Sequence, residues 1–145
     1  MIVGEFLQKV SIKKRVAIPS TIRKEFKGNL YLTRGYDNCL VIVDQKMWEK
    51  VTLQITEGQL INNLVRDTAR FLVGGAKALS PDEQGRFVIP DNLYKYAQLT
   101  DKAIFVGLIN WVEIWDKDIW QKRVEYLEKN SAQIANDLSN MTRSD

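Results

Sequence analysis

Two stretches of this chain place an arginine in the same setting. In Pro81-Asp82-Glu83-Gln84-Gly85-Arg86-Phe87-Val88-Ile89-Pro90 a polar turn delivers an arginine, a short apolar run follows, and a proline opens the next element. Val10-Ser11-Ile12-Lys13-Lys14-Arg15-Val16-Ala17-Ile18-Pro19 repeats the plan. Gly85 can take the positive φ of a tight turn, and the residues after each arginine are β-branched, aromatic or small, so each arginine sits where a loop enters a strand. An arginine so placed points outward, and its planar fork of donors suits an anionic partner. Asp82, four residues before Arg86, can fold back and hold that guanidinium in one orientation. In the first stretch Ser11 supplies a weaker acceptor, while Lys13 and Lys14 add two point charges beside Arg15, with Lys9 just upstream.

Other chemistry is thinly supplied. The chain has no histidine, and Cys39 is its only cysteine. These absences remove Ser-His-Asp and Cys-His nucleophile systems, histidine acid-base work, intrachain disulfides and the usual zinc ligand sets. No pair of carboxylates sits in a setting that suggests a raised pKa, and no glycine loop cradles phosphate. No enzymatic activity, cofactor, metal or small-molecule substrate is expected.

The 145 residues are 45% hydrophobic, enough for one ordinary core or two very small ones, and the net charge is only +3. The charge is uneven. Residues 1–30 hold seven Lys or Arg against two Glu, and the remainder holds fourteen against sixteen acidic residues. A concentrated basic patch raises the local density of an anionic partner such as nucleic acid, although a solvated basic face has the same signature. No stretch approaches a membrane span or a signal peptide, so a cytoplasmic protein with no membrane partner is expected.

The elements that must position the two arginines recur with them. Ile2-Val3-Gly4-Glu5-Phe6 reads as a strand, Pro19 through Phe26 as a short helix stopped at Gly28, and Leu30–Thr33 and Cys39–Val43 as two strands joined through Arg34–Asn38. The second copy follows with Ala78-Leu79-Ser80, Phe87-Val88-Ile89, a helix from Pro90 through Ala97, and strands at Ala103–Val106 and Trp111–Trp115. Arg15 and Pro19 match Arg86 and Pro90 at a spacing of 71, whereas Gly35, Asp44 and Trp48 match Gly107, Asp116 and Trp120 at 72. Shared Arg, Pro, Gly, Asp and Trp in one order argue for duplication. Between the copies, Leu60, Ile61, Leu64, Val65, Thr68, Ala69 and Leu72 recur with helical spacing up to Gly74-Gly75. Past Trp120, Val124, Leu127, Ser131, Ile134 and Leu138 mark an amphipathic terminal helix, followed by a frayed tail from Asn140. The expected divisions are 5–50 and 77–120 for the two units, 51–76 for a helical linker, and 121–145 for the terminal helix and tail. Units of about forty residues need support, and with metal and disulfides gone that support is association.

Asp82-Glu83-Gln84-Gly85-Arg86 followed by Phe87-Val88-Ile89-Pro90 resembles the D-x-x-x-R motif of the MraZ family, transcriptional regulators linked to the division and cell wall gene cluster. The likeness extends to Arg15 and Pro19, to Leu32 through Leu40, and to Val106-Gly107 through Glu113-Ile114-Trp115-Asp116. It implies an α+β fold of duplicated swapped-hairpin (SpoVT-AbrB type) β-barrel-like units with short helices, a linker helix and a C-terminal helix. It further implies a ring-shaped homo-oligomer, nucleoid-associated, that binds repeats in promoter double-stranded DNA and represses its own operon. Ser11 and Lys14 depart from the family's aspartate and turn glycine.

With the resemblance added, Lys9, Lys13, Lys14, Arg15 and Arg86 are the expected DNA contacts, and Ser11, Asp82 and Gly85 the residues that shape the turns. Lys13, Lys14 and Arg15 have no acid near them in sequence and are expected to be unpaired. Arg34, Gly35 and Glu113 read as hairpin or structural positions, and Trp48, Trp111, Trp115 and Trp120 as core. A ring-forming scaffold that binds an acidic protein is the competing function, separable from DNA binding by salt dependence.

Overall fold

Among the described residues, alternating and continuous apolar runs give eight strands, and the stretches between and after them give the turns and five helices. The computed structural model describes residues 1–58 and 61–143. In chain order they form β1 (Ile2–Lys9), β2 (Arg15–Ala17), α1 (Ser20–Arg23), β3 (Leu30–Arg34), β4 (Leu40–Asp44), α2 (Gln45–Thr56) and α3 (Asn63–Leu72). The second half follows with β5 (Lys77–Leu79), β6 (Arg86–Val88), α4 (Asp91–Tyr96), β7 (Lys102–Ile109), β8 (Trp111–Asp116) and α5 (Lys117–Arg143). The chain is α+β and duplicated, and its strands form an open antiparallel sheet in the order β1-β7-β8-β4-β3-β5, with β2 and β6 as a separate two-stranded ribbon.

Strand exchange joins the halves. β1 of the first half pairs with β7 of the second, β5 of the second pairs with β3 of the first, and β4 pairs with β8 at the centre. Val41 lies opposite Glu113 with Leu40 opposite Ile114 and Ile42 opposite Val112, while in the ribbon Val16 lies opposite Phe87. Interchanging the repeats maps the β4–β8 and β2–β6 pairings each onto itself and the β1–β7 pairing onto β5–β3. An internal two-fold axis therefore runs through the centre of the sheet and the centre of the ribbon.

The ribbon covers one face of the sheet. Val16 and Phe87 from the ribbon, Ile22 from α1 and Leu93 from α4 pack with Leu32, Leu40, Ile42, Phe105, Val112 and Ile114 in one buried cluster. Both halves contribute to every part of it, which is how units too small for a core of their own are stabilised. The matched glycines lie where the backbone has no room for a Cβ. One added at Gly107 would lie 2.9 Å from backbone atoms of β1, and one at Gly35 would lie 2.6 Å from Val41 and 2.8 Å from the Cys39 sulfur.

The opposite face carries α2, α3 and α5. Cys39, Val106, Trp115 and Trp120 are buried there, with Val124 and Leu127 of α5 packed against them. Burial pushes the Cys39 thiol well above its ordinary range, and the carboxylates of Glu113 and Asp37 add to the effect. A thiolate is the reactive form, so Cys39 should resist alkylation in the native protein and react at the rate of global unfolding. Labelling by iodoacetamide in and out of denaturant checks this; rapid native labelling would show the site open.

The matched aspartates start helices. Asp44 accepts a hydrogen bond from the Met47 amide at 3.1 Å, and Asp116 from the amides of Asp118 and Ile119 at 3.2 and 3.3 Å, with Thr100 Oγ1 donating to its other oxygen at 2.6 Å. The helices after β4 and β8 therefore begin at Gln45 and Lys117, earlier than the apolar periodicity alone indicates. The single linker helix expected over 51–76 is replaced by the end of α2 and by α3, which Asn62 caps through the Leu64 amide at 2.8 Å. Leu60 lies outside the described residues. The first short helix is confined to Ser20–Arg23, and both prolines stand at N-cap positions rather than inside the first turn. The fraying expected from Asn140 is not seen, since α5 continues through Arg143; residues 144–145 lie outside the described residues.

Candidate nucleic-acid interface

The two turns share one backbone path. At the first, the Lys14 amide donates to the Ser11 carbonyl at 2.8 Å and the Ser11 amide to the Arg15 carbonyl at 3.0 Å; at the second, Gly85 donates to Asp82 at 2.9 Å and Asp82 to Arg86 at 3.0 Å. Lys14 and Gly85 both take positive φ, 61° and 79°. A left-handed lysine costs about 1–2 kcal/mol more than a glycine, so the substitution at Lys14 strains the turn without changing its path.

Ser11 replaces only half of what Asp82 does. Ser11 Oγ accepts from the Arg15 amide at 3.1 Å, as Asp82 Oδ1 accepts from the Arg86 amide at 2.9 Å and the Gln84 amide at 2.9 Å. Asp82 has a second oxygen, which takes Arg86 Nε at 2.8 Å; Ser11 has none, and Arg15 is left without an ion-pair partner among the described residues. The backbone hydrogen bond from Arg86, then its side chain, then the Gln84 amide hold the Asp82 carboxyl below the usual aspartate range. A depressed pKa means the carboxylate supports the turn at neutral pH and loses that support as pH falls through the folded value. Carbon-detected NMR should place the Asp82 midpoint below that of an ordinary aspartate, and Arg86→Ala should raise it; an unmoved midpoint would show that the pair does not form in solution.

The ribbon sets the two arginines side by side. Arg15 lies opposite Val88 and Arg86 opposite Ala17, so with Val16 and Phe87 facing the core both arginines project from the same outer face. Each turn is braced by the other half. Ile18 N donates to the Gly85 carbonyl at 2.9 Å and Ile89 N to the Lys14 carbonyl at 2.8 Å, while Arg23 of α1 reaches over Gly85 and donates to the Glu83 carbonyl at 2.9 Å. On the other side the Lys14 ammonium contacts Asp91 of α4 and lies 5.1 Å from the Tyr94 ring centre.

Lys14 therefore departs from expectation. It is paired, and it braces the first turn rather than standing free beside Arg15, because the internal two-fold brings α4 of the second half to a lysine 77 residues away. Lys9, Lys13, Ser11, Arg15 and Arg86 are exposed on the ribbon side. Lys102 stands opposite Lys9 in the β1–β7 register, and a shallow depression beside the ribbon is lined by Lys9, Ser11, Arg15, Arg86, Lys102 and Asp101. A second depression, on the other flank, adds Lys77 and Ser80 to Arg15, Arg86 and Asp82. Lys77 and Lys102 were invisible as site residues in the linear sequence, since only the exchanged pairing carries them to the ribbon. Ile12, fully exposed at the tip of the first turn, is an apolar side chain with nothing beneath it.

The four tryptophans lie away from this face. Trp115 and Trp120 are buried on the helical side with ring centres 5.3 Å apart, Trp48 stacks on Tyr31 at 4.7 Å, and Trp111 is half-buried there. Glu113 accepts from Trp115 Nε1 at 2.9 Å, and the Arg34 guanidinium lies over Phe71 at 5.4 Å.

An internally two-fold, strand-exchanged α+β chain that presents paired arginine turns on one face falls in the swapped-hairpin class. The family model of the MraZ protein, described as antitoxin-like, matches it twice, over residues 1–71 and 72–141. The chain is 36% identical over 143 residues to a protein of Clostridium tetani, covering 97% of this chain and 99% of that one, and 37% identical over 134 residues to one of Cutibacterium acnes, covering 92% and 94%. A protein of Roseiflexus castenholzii is 33% identical over 141 residues, covering 97% and 99%; all three bear the name transcriptional regulator MraZ. The chain belongs to the MraZ family.

Proposed function

We propose that this chain is a transcriptional regulator that binds double-stranded DNA in a sequence-specific manner through the ribbon face. It acts in the cytoplasm at the nucleoid, represses its own operon in the division and cell wall cluster, and works as a ring of several chains on repeated promoter boxes. The placement of Arg15 and Arg86 on one outward face, across a two-stranded ribbon flanked by Lys9, Lys13, Lys77 and Lys102, supports this most. A two-stranded ribbon fits the major groove, where a guanidinium held in one plane can bond two acceptors of a guanine edge. The name that the relatives bear, transcriptional regulator, agrees with the regulatory part of this reading.

The two turns divide the work. Arg86, oriented by Asp82, reads a base, and its loss should cost about 1–3 kcal/mol on the cognate site with little change on random DNA. Arg15, free of a carboxylate and set near Lys13, contributes phosphate contacts that weaken binding alike on all sequences when removed. Electrophoretic titration of Arg15→Ala and Arg86→Ala on cognate and random duplexes checks this; the opposite pattern would reverse the assignment. A ring gains affinity from several boxes through effective concentration alone, so a duplex with one box should bind measurably more weakly than one with two.

The scaffold reading, a ring that binds an acidic protein, uses the same cations. Salt dependence separates the two, since counterion release from DNA makes affinity fall steeply as salt rises.

A further inference from the structure

The two turn tips differ although their backbones agree. In the first, the hydrogen bond from the Lys14 amide to the Ser11 carbonyl closes a turn whose two central residues are Ile12 and Lys13. Such positions ordinarily go to glycine, proline, asparagine, aspartate or serine, and a β-branched apolar side chain gains nothing there. Ile12 is nevertheless 102% exposed, the most exposed large hydrophobic side chain among the described residues. Its match in the second repeat, 71 residues on, is Glu83, also exposed, whose carbonyl is held by Arg23. A single exposed apolar side chain is ordinary on a protein surface. Ile12 is set apart by its neighbours, since Ser11 before it lines the depression shared with Arg15 and Arg86, and the exposed Lys13 follows it.

The chemistry of base edges narrows what such a side chain can meet. In the major groove the four bases offer hydrogen-bond donors, acceptors and a single methyl, that on C5 of thymine. Phosphates along the groove are met by cations, which Lys13 and Arg15 supply on either side of the first turn. Glu83 at the other tip cannot do the same work, because a carboxylate is repelled by phosphates and gains nothing from a methyl. Val88 is the other large apolar side chain on the outer face of the ribbon. It stands within a strand directly opposite Arg15 and is half-exposed, whereas Ile12 stands clear at a turn tip.

We propose that Ile12 is a specificity-determining residue of the ribbon face, packing its side chain on the C5 methyl of a thymine in the major groove. This inference rests on the proposal that the ribbon binds DNA, and it names one base that the first turn selects. Burying one methyl at such a contact is worth about a fourfold gain in affinity. The second turn has no counterpart to it, so the two ends of the ribbon read different base pairs in spite of the internal two-fold. Ile12 belongs to neither buried cluster, and its replacement leaves the fold intact.

The test uses the DNA upstream of the coding sequence prepared in two forms, one with thymine and one with uracil throughout, since uracil pairs as thymine does and lacks only the methyl. Fluorescence anisotropy at one fixed salt concentration compares full-length wild type, Ile12→Ser and Val88→Thr on both forms. Wild type should bind the uracil form about fourfold more weakly. Ile12→Ser should bind the thymine form about fourfold more weakly than wild type does and make no distinction between the two forms, while Val88→Thr should distinguish them as wild type does. Wild type indifferent to the exchange, Ile12→Ser as sensitive to it as wild type, or sensitivity lost in Val88→Thr instead would overturn the role of Ile12 while leaving DNA binding intact. Wild type that binds the thymine form no better than a scrambled duplex would overturn the reading of the ribbon as well.

Discussion

Exchanging Arg15 and Arg86 together for glutamate should abolish the proposed recognition of promoter DNA at physiological salt. The base contact proposed for Arg86 is worth about 1–3 kcal/mol on the cognate site, an affinity loss of roughly 5-fold to 150-fold, and the phosphate contacts proposed for Arg15 add to it on every sequence. The reversed charges act in the same direction, since two glutamates on the ribbon face repel the phosphates that Lys9, Lys13 and Lys102 attract. Both side chains are exposed and belong to no core cluster, so the fold is retained and the loss falls on binding. Fluorescence anisotropy, with circular dichroism to confirm folding, measures it; a double variant that binds within threefold of wild type would remove the ribbon from the interface.

The second large effect is on stability. Phe105 lies in β7, has no exposed surface, and packs in the cluster to which both halves contribute. Truncating a buried phenylalanine to alanine costs about 3–5 kcal/mol, a large part of the roughly 5–15 kcal/mol that holds a domain folded. Because β1 pairs with β7 along eight register positions, Ile2 to Lys9 against Ile109 to Lys102, the damage cannot be confined to the second half. Phe105→Ala should therefore lower amide-exchange protection in β1, β3 and β4 together with β7 and β8. Protection lost only after residue 72 would show that the halves fold independently.

Much of this was legible in the chain because duplication turns single residues into pairs. Arg15 with Arg86 and Pro19 with Pro90 locate two equivalent turns, and the apolar runs after each arginine mark the strands that follow; which side of those strands is buried appears only in the fold. Gly35 and Gly107 were recognised as matched, and the structure gives the reason, close backbone and side-chain approach at each. Asp44 and Asp116 were seen to match as well, but their capping role was missed. The apolar periodicity starts after the first turn of each helix, whereas the cap precedes it.

What linear reading does not carry is the exchange itself. Lys14 is expected to be free as long as its neighbours are those of sequence, and it is held by Asp91 because the axis places α4 beside the first turn. Arg23 bracing Gly85 follows from the same operation, as do the positions of Lys77 and Lys102. The linker divided into two helices for a local reason. Gly58 and the Asn62 cap interrupt an apolar pattern that periodicity alone would run together.

Sequence-specific reading of DNA by the ribbon face is tested most directly by one titration. Wild-type protein is bound, at physiological salt and with a salt series, to the DNA upstream of its own coding sequence and to a scrambled duplex of equal length. Binding at least a thousandfold tighter to the upstream DNA, weakening on both duplexes as salt rises, is the expected result. Equal weak binding to both duplexes would contradict it and leave an acidic protein as the partner of the arginine turns.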